Sequence, residues 1–180
     1  MSTVIDGSAS VTINNGAVLG ITSGTAVAST SGVSVDFTGI PSWAKRITVM
    51  FSGVSWSTTG PFLRIQIGSG SVENTGYTGA QTNINGAGTA SWQTAFTAGF
   101  DVSSLSAVAD TVSGQMVLCT LGSNIWTMSG GIVRLGASVQ MLSQFAGIKT
   151  TSGALDRLRI TTSNGTDTFD AGSINIMYEG

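Results

Sequence analysis

Apolar and polar residues alternate one for one in several short runs of this chain, and a period of two predicts β-strands with one buried face. The clearest run goes from Arg46 to Phe51: Ile47, Val49 and Phe51 point one way, Arg46, Thr48 and Met50 the other. Before it lies Gly39-Ile40-Pro41-Ser42, where proline fixes its own φ and pushes Ile40 toward an extended conformation, which disfavours a helix through this stretch. Trp43 stands where it can cover the edge of the core. Gly53 is placed to make a bulge through which the strand continues to Trp56. Val33, Val35 and Phe37 share one face of an earlier run; Leu63, Ile65 and Ile67 share one face of a later one, with Arg64 and Gln66 outward.

The second half repeats the pattern. Residues 110–121 end in an apolar run that suits a central strand, and Gly122-Ser123-Asn124 turns it into Ile125-Trp126-Thr127-Met128. Gly130-Gly131 interrupts, and a strand resumes at Ile132. Leu142, Phe145 and Ile148 are spaced for either a short helix or a strand. Leu158 and Ile160 face inward between Arg157 and Arg159, and Ile174, Ile176 and Tyr178 share the last face. Asn164-Gly165 is a strong turn signal. Between Gly68 and Gly99 the alternation dissolves into Gly, Ser, Thr and Asn, which predicts a long surface loop with a weak strand from Trp92 to Phe96. Eight or more strands, hairpin turns and no long helix predict an all-β fold: two antiparallel sheets in a β-sandwich of jelly-roll type.

Residues 1–32 read differently from residues 33–180. Short apolar pieces (Val4, Ile5, Val11, Ile13, Val18, Leu19 and Ile21) are separated by turn residues, with Asn15-Gly16 as a hairpin turn and 22–32 as a small, polar linker. This segment lacks the large side chains for a core of its own. It is expected to be an N-terminal arm, ordered by other chains and serving assembly, joined to a sandwich domain over 33–180. Protease is expected to cut within 22–32.

Charge changes the picture more than length does. Charged residues make up 9% of the 180, against roughly 25% in an average soluble domain. Such a surface fits one covered by neighbouring subunits. A net charge of −2 and scattered cations give no basis for nucleic-acid binding. No run approaches the ~20 apolar residues of a membrane helix. No signal peptide is visible at the N-terminus, so synthesis in a cytoplasm is expected.

The chain has no histidine, which removes the commonest general base and its catalytic triads and metal sites. The one cysteine, Cys119, lies in the apolar run Met116-Val117-Leu118-Cys119 and reads as a buried, inert thiol. Asp156, Asp167 and Asp170 could offer oxygens to a cation or form a glycosidase pair; turn capping is the simpler reading. Trp56, Trp92, Trp126 and Tyr77 are the aromatic residues considered for contact with a host-surface glycan. No catalytic residue and no cofactor are expected.

Three stretches resemble a family of tailed-bacteriophage virion proteins: Gly39-Ile40-Pro41-Ser42-Trp43-Ala44-Lys45-Arg46-Ile47-Thr48, then Glu73-Asn74-Thr75-Gly76-Tyr77, then Leu155 to Thr161 with Gly165 to Ile176 and Tyr178-Glu179. The resemblance covers about residues 33–180. It implies a tail-fibre or tail-tip structural protein: a homo-oligomer, as a trimer, that meets other virion proteins and takes part in host attachment. A capsid decoration protein of the same fold is the alternative, and a carbohydrate-binding or depolymerase module a more distant one. The implied location is the virion, after synthesis in the bacterial cytoplasm. The shared motifs describe turns and core positions.

Overall fold

The alternating runs between residues 33 and 180 are strands in the computed structural model, which describes residues 12–13, 16–17, 20–88, 90–94, 96–136 and 140–180. In chain order the strands are β1 (Thr12–Ile13), β2 (Gly16–Ala17), β3 (Thr22–Ser23), β4 (Val27–Ala28), β5 (Ser34–Thr38), β6 (Arg46–Trp56), β7 (Phe62–Ser69) and β8 (Ser71–Val72). They continue as β9 (Tyr77–Asn85), β10 (Ala90–Thr94), β11 (Phe100–Ser104), β12 (Thr111–Gly122), β13 (Ile125–Leu135), β14 (Met141–Thr150), β15 (Arg157–Thr162) and β16 (Phe169–Glu179).

All pairings are antiparallel. The larger sheet runs β10-β9-β14-β13-β12-β6-β16, with β3 and β4 on the outer edge of β16; the smaller runs β11-β7-β15-β5, with β8 beside β7. Their inner faces meet in one core. Ile47, Val49, Phe51, Met116, Leu118, Ile174 and Ile176 come from the larger sheet, and Val35, Phe37, Leu63, Ile65, Ile67, Leu158 and Ile160 from the smaller. This is a sandwich of two sheets. Three consecutive strands, β12-β13-β14, form a meander within one sheet, so the strand order does not by itself establish a jelly roll.

Local chemistry sets the turns. Ser123 and Asn124 both have positive φ (50° and 62°), as the two-residue loop of a hairpin whose strand twist it must match requires. The register shifts between Thr120 and Gly122, so Leu121 is the extra residue of a bulge and is 71% exposed. Gly53, at φ +63, forms the bulge in β6 and lies against Gly172 of β16, at φ +92. Asn164 folds its own turn: its Oδ1 accepts the amides of Thr166 (3.1 Å) and Asp167 (3.3 Å).

Several expectations are corrected. The stretch read as a surface loop holds β8, the nine-residue β9 and β10, and β9 pairs with neighbours on both sides. Gly130-Gly131 does not interrupt β13, which runs through both. Of the helix and the strand left open for residues 141–151, the strand is what forms: β14 pairs with β13 along its length. Gly16 belongs to β2, opposite Ile13, and not to the turn.

Residues 22–32 are not a free linker. Thr22 and Ser23 pair with Tyr178 and Met177, and Val27 and Ala28 with Ile174 and Ser173. Gly24 donates to the Ile176 carbonyl (2.7 Å), Ser29 to that of Gly172 (3.0 Å), and Phe169 to that of Gly32 (2.9 Å). The Ser29 side chain is fully buried and donates to the Ala171 carbonyl at 2.8 Å. Of the residues proposed for assembly, Ile21 is exposed and Ile13 lies in β1; Val4, Ile5, Val11, Val18 and Leu19 lie outside the described residues.

Candidate functional site

Three of the four aromatic candidates are buried. Trp56 is fully buried at the end of β6, and Trp126 is 5% exposed in β13. Tyr77 is 3% exposed. Its hydroxyl accepts the Ile67 amide (2.7 Å) and faces the Glu73 (2.8 Å) and Ile67 (3.0 Å) carbonyls as donor. Its ring stands edge-on to Phe100 at 4.9 Å, and Lys149 Nζ lies 5.4 Å from its centre. Burial, the largest cause, raises its ionisation well above the usual tyrosine value. The reason for these placements is period two: each of the three falls on the inward phase of its strand. Trp92 lies in β10 opposite Thr82.

The aspartates are held separately. Asp156 pairs with Arg157 (2.8 Å) and accepts the Gly70 amide (3.1 Å). Thr58 donates to Asp167 at 2.6 Å, and Ser55 donates to Asp170. Among the described residues no three His, Cys, Asp or Glu side chains gather in a way that could hold a metal ion. Turn capping through the local backbone is not what Asp167 and Asp170 do; each takes a hydroxyl from the β6 end.

A buried polar seam, which the sequence reading missed, lies where β11 crosses β9 and β14. Ser143 donates to Asn83 Oδ1 (2.6 Å) and lies 3.4 Å from Ser103. Gln81, oriented with its amide nitrogen toward β11, donates to the carbonyls of Asp101 (3.2 Å) and Val102 (2.9 Å). At the same end Asp110 Oδ2 accepts the amides of Ser106 (3.0 Å) and Ala107 (2.9 Å). Arg134 Nε stands 3.6 Å from that oxygen, an ionic contact beyond hydrogen-bond reach, while its Nη1 donates to the Ser104 carbonyl at 3.1 Å. Burial opposes ionisation of Asp110, but these donors and Arg134 outweigh it and lower its pKa. Glu73 behaves likewise: burial raises its pKa, and Lys149 (2.5 Å) with both donors of Ser152 (2.8 Å each) brings it below the usual value. Apart from Arg134 Nε, which is buried without a hydrogen-bond partner, these groups pair with one another, so the seam anchors strands.

The ion pairs account for most of the charge. Six of the seven Lys and Arg side chains pair within the chain, Lys45 alone having no acidic partner among the described residues. Lys45 is exposed beside a depression of about 120 Å³ lined by Thr120, Ser123, Asn124 and Trp126. Cys119, expected to be buried, is exposed, because Met116 and Leu118 take the inward phase of β12 and leave Val117 and Cys119 outward.

The pairs are also unevenly placed. The outer face of the smaller sheet carries Arg159 with Asp36 (2.7 Å), Arg64 with Asp101 (2.7 Å) and Arg157 with Asp156. On the larger sheet the outward positions of β9, β14, β13 and β12 carry no charge. Arg46 and Glu179, 3.7 Å apart, stand at its margin, and Asp170 lies beyond the Gly172 bulge. The result is an uncharged band across the outward side of β9, β14, β13 and β12. Compared with protein-family models, curated proteins and solved structures, the chain matches none of them.

Proposed function

We infer that this chain is a structural protein of a tailed-phage virion, a homo-oligomeric part of the tail fibre or tail tip that contributes to host attachment. The observation that carries the reading is the surface: 9% charged residues, six of seven cations paired within the chain, and four adjacent strands, β9, β14, β13 and β12, whose outward positions carry no charge. A surface of that kind suits burial against copies and partners. The resemblance at residues 39–48, 73–77, 155–161, 165–176 and 178–179 supports the virion assignment. Those residues serve turns and core: Ile40 and Ala44 are buried, Glu73 and Tyr77 fasten the turn before β9, and Leu158, Ile160, Ile174 and Ile176 fill the sandwich.

The test is location. Antibody raised against the purified chain should label the tail of virions made from the genome that encodes it. Label over the head would favour the capsid-decoration reading. Virions that lack the chain would refute both.

A further inference from the structure

The outward side chains of the larger sheet form rows across the strands. Ile84 lies opposite Leu142, and Leu142 opposite Val133; Ile84 and Leu142 are 40% and 42% exposed. One step along the strands, Thr82, Gln144, Gly131, Gln115, Met50 and Asn175 lie in register. Ala80, Ala146, Ser129, Val117, Thr48 and Met177 make the next row, in which Thr48 is already buried. Beyond them Ile148, 41% exposed, faces Thr127, and Thr127 faces Cys119. The small side chains at Ala80 and Ala146 leave a shallow trough of about 420 Å³ beside the Ile84–Leu142 ridge, lined also by Thr82 and Gln144.

We propose that this face is the site of self-association, where it docks against the same face of a second copy of the chain. The assembly reading above says only that copies meet, and this inference rests on it while naming the surface. Three observations select the occupant. A polyanion needs cations, and the face offers only Arg46, already beside Glu179. A neutral face does not repel its own copy, whereas the smaller sheet's ionised outer face must keep its charges hydrated. The size also fits: six strands spaced ~4.8 Å and about ten residues long make roughly 24 by 33 Å, on the order of 800 Å², which is about the area each partner buries in a stable interface. Ridge and trough lie side by side on one face, so a facing copy can set its ridge into the trough of the first.

Like charges placed on this face test it. Ser129→Glu with Gln144→Glu makes one variant, and Ser129→Lys with Gln144→Lys the other; both positions are exposed and polar. The native full chain should sediment as a multiple of 18.2 kDa. Each variant should be monomeric with unchanged far-ultraviolet circular dichroism. A one-to-one mixture should regain the native mass, because opposite charges then meet face to face. Thr38→Glu, on the outer face of the smaller sheet, should leave the native mass intact. Cys119 of the unmodified chain gives a readout that needs no variant to fold: a water-soluble maleimide should label it at least tenfold faster in dilute monomer than in the concentrated assembly. A native chain that stays monomeric at about 100 μM, a labelling rate indifferent to concentration, variants that assemble as the native does, or a mixture that fails to reassemble would overturn the proposal. Absence of the chain from virions would sink the virion reading and leave this result standing; a monomer found in virions would do the reverse.

Discussion

Replacing Tyr77 by Phe separates a core tyrosine from a ligand contact. The substitution keeps the ring against Phe100 and removes one oxygen. That oxygen accepts the Ile67 amide at 2.7 Å and satisfies a carbonyl at 2.8 or 3.0 Å. One hydroxyl hydrogen serves one carbonyl at a time, and the Glu73 carbonyl lies nearer water, so the main loss is a buried N–H left without an acceptor. Stranding such a donor costs about 1–3 kcal/mol. Taking about 2 kcal/mol, the midpoint of thermal unfolding should fall by roughly 4–8 °C in a chain of this size. Tyr77→Leu should cost a further ~0.5–1.5 kcal/mol, since it also gives up the edge-on ring pair with Phe100.

The same side chain sets an alkaline limit. Its hydroxyl stays protonated in the folded state at pH values where an unfolded tyrosine, near pH 10, has ionised. Above that pH the unfolded state binds fewer protons than the folded one, so stability falls as pH rises. Urea titrations from pH 8 to 11 on the native chain and the Phe variant should therefore converge above pH 10, because the variant lacks this term. A Phe variant as stable as the native chain at pH 8, or parallel curves up to pH 11, would refute the reasoning.

Acid should act through Glu73 and Asp110. Both pKa values are depressed in the fold, so their stabilisation is complete above the unfolded carboxylate pKa and is lost as pH falls through the folded one. Denaturant midpoints between pH 6 and 2 should decline less steeply in Glu73→Gln than in the native chain, and an identical slope would remove Glu73 from the account. Gly130→Ala should destabilise by about 2 kcal/mol or more, since its methyl would lie 2.4 Å from the Gln115 carbonyl oxygen and 2.8 Å from the Phe145 ring. Gly131→Ala meets chiefly the mobile end of Gln144 and should be tolerated; equal unfolding midpoints for the pair would show that the crowding is relieved elsewhere. Broad-specificity protease should leave 24–32 intact in the folded chain, and Ser29→Ala, which gives up a buried hydrogen bond, should cost about 1 kcal/mol. Rapid cutting between Gly24 and Ser29 would mean that the pairing with β16 does not persist.

The sandwich was legible wherever an inward run was apolar. Ile47, Val49 and Phe51, or Leu63, Ile65 and Ile67, announce their strands because water rejects one side of each. The turns at Ser123-Asn124 and Asn164-Gly165 were legible too, since Asn124 (φ 62°) and Gly165 (φ 71°) take left-handed angles that asparagine and glycine accept most readily. β9 was not: its inward positions are Tyr77, Gly79, Gln81 and Asn83, and only β11 and Ser143, distant in sequence, supply the partners that let polar side chains enter the core. Nor was the edge pairing of 22–32, which depends on backbone groups of β16 that any sequence would offer.

The candidate surface divides in the same way. Composition already establishes that charge is scarce and histidine absent, and so narrows the chemistry available to the chain. Which charges meet is a matter of strand register: Arg159 finds Asp36 across 123 residues, and the outward rows of six strands become one neutral face only when the sheet aligns them. Period two says which residues share a side of a strand. It does not say which other strands lie beside it, and that is what folding decided here, through hydrogen bonds between residues far apart in the chain.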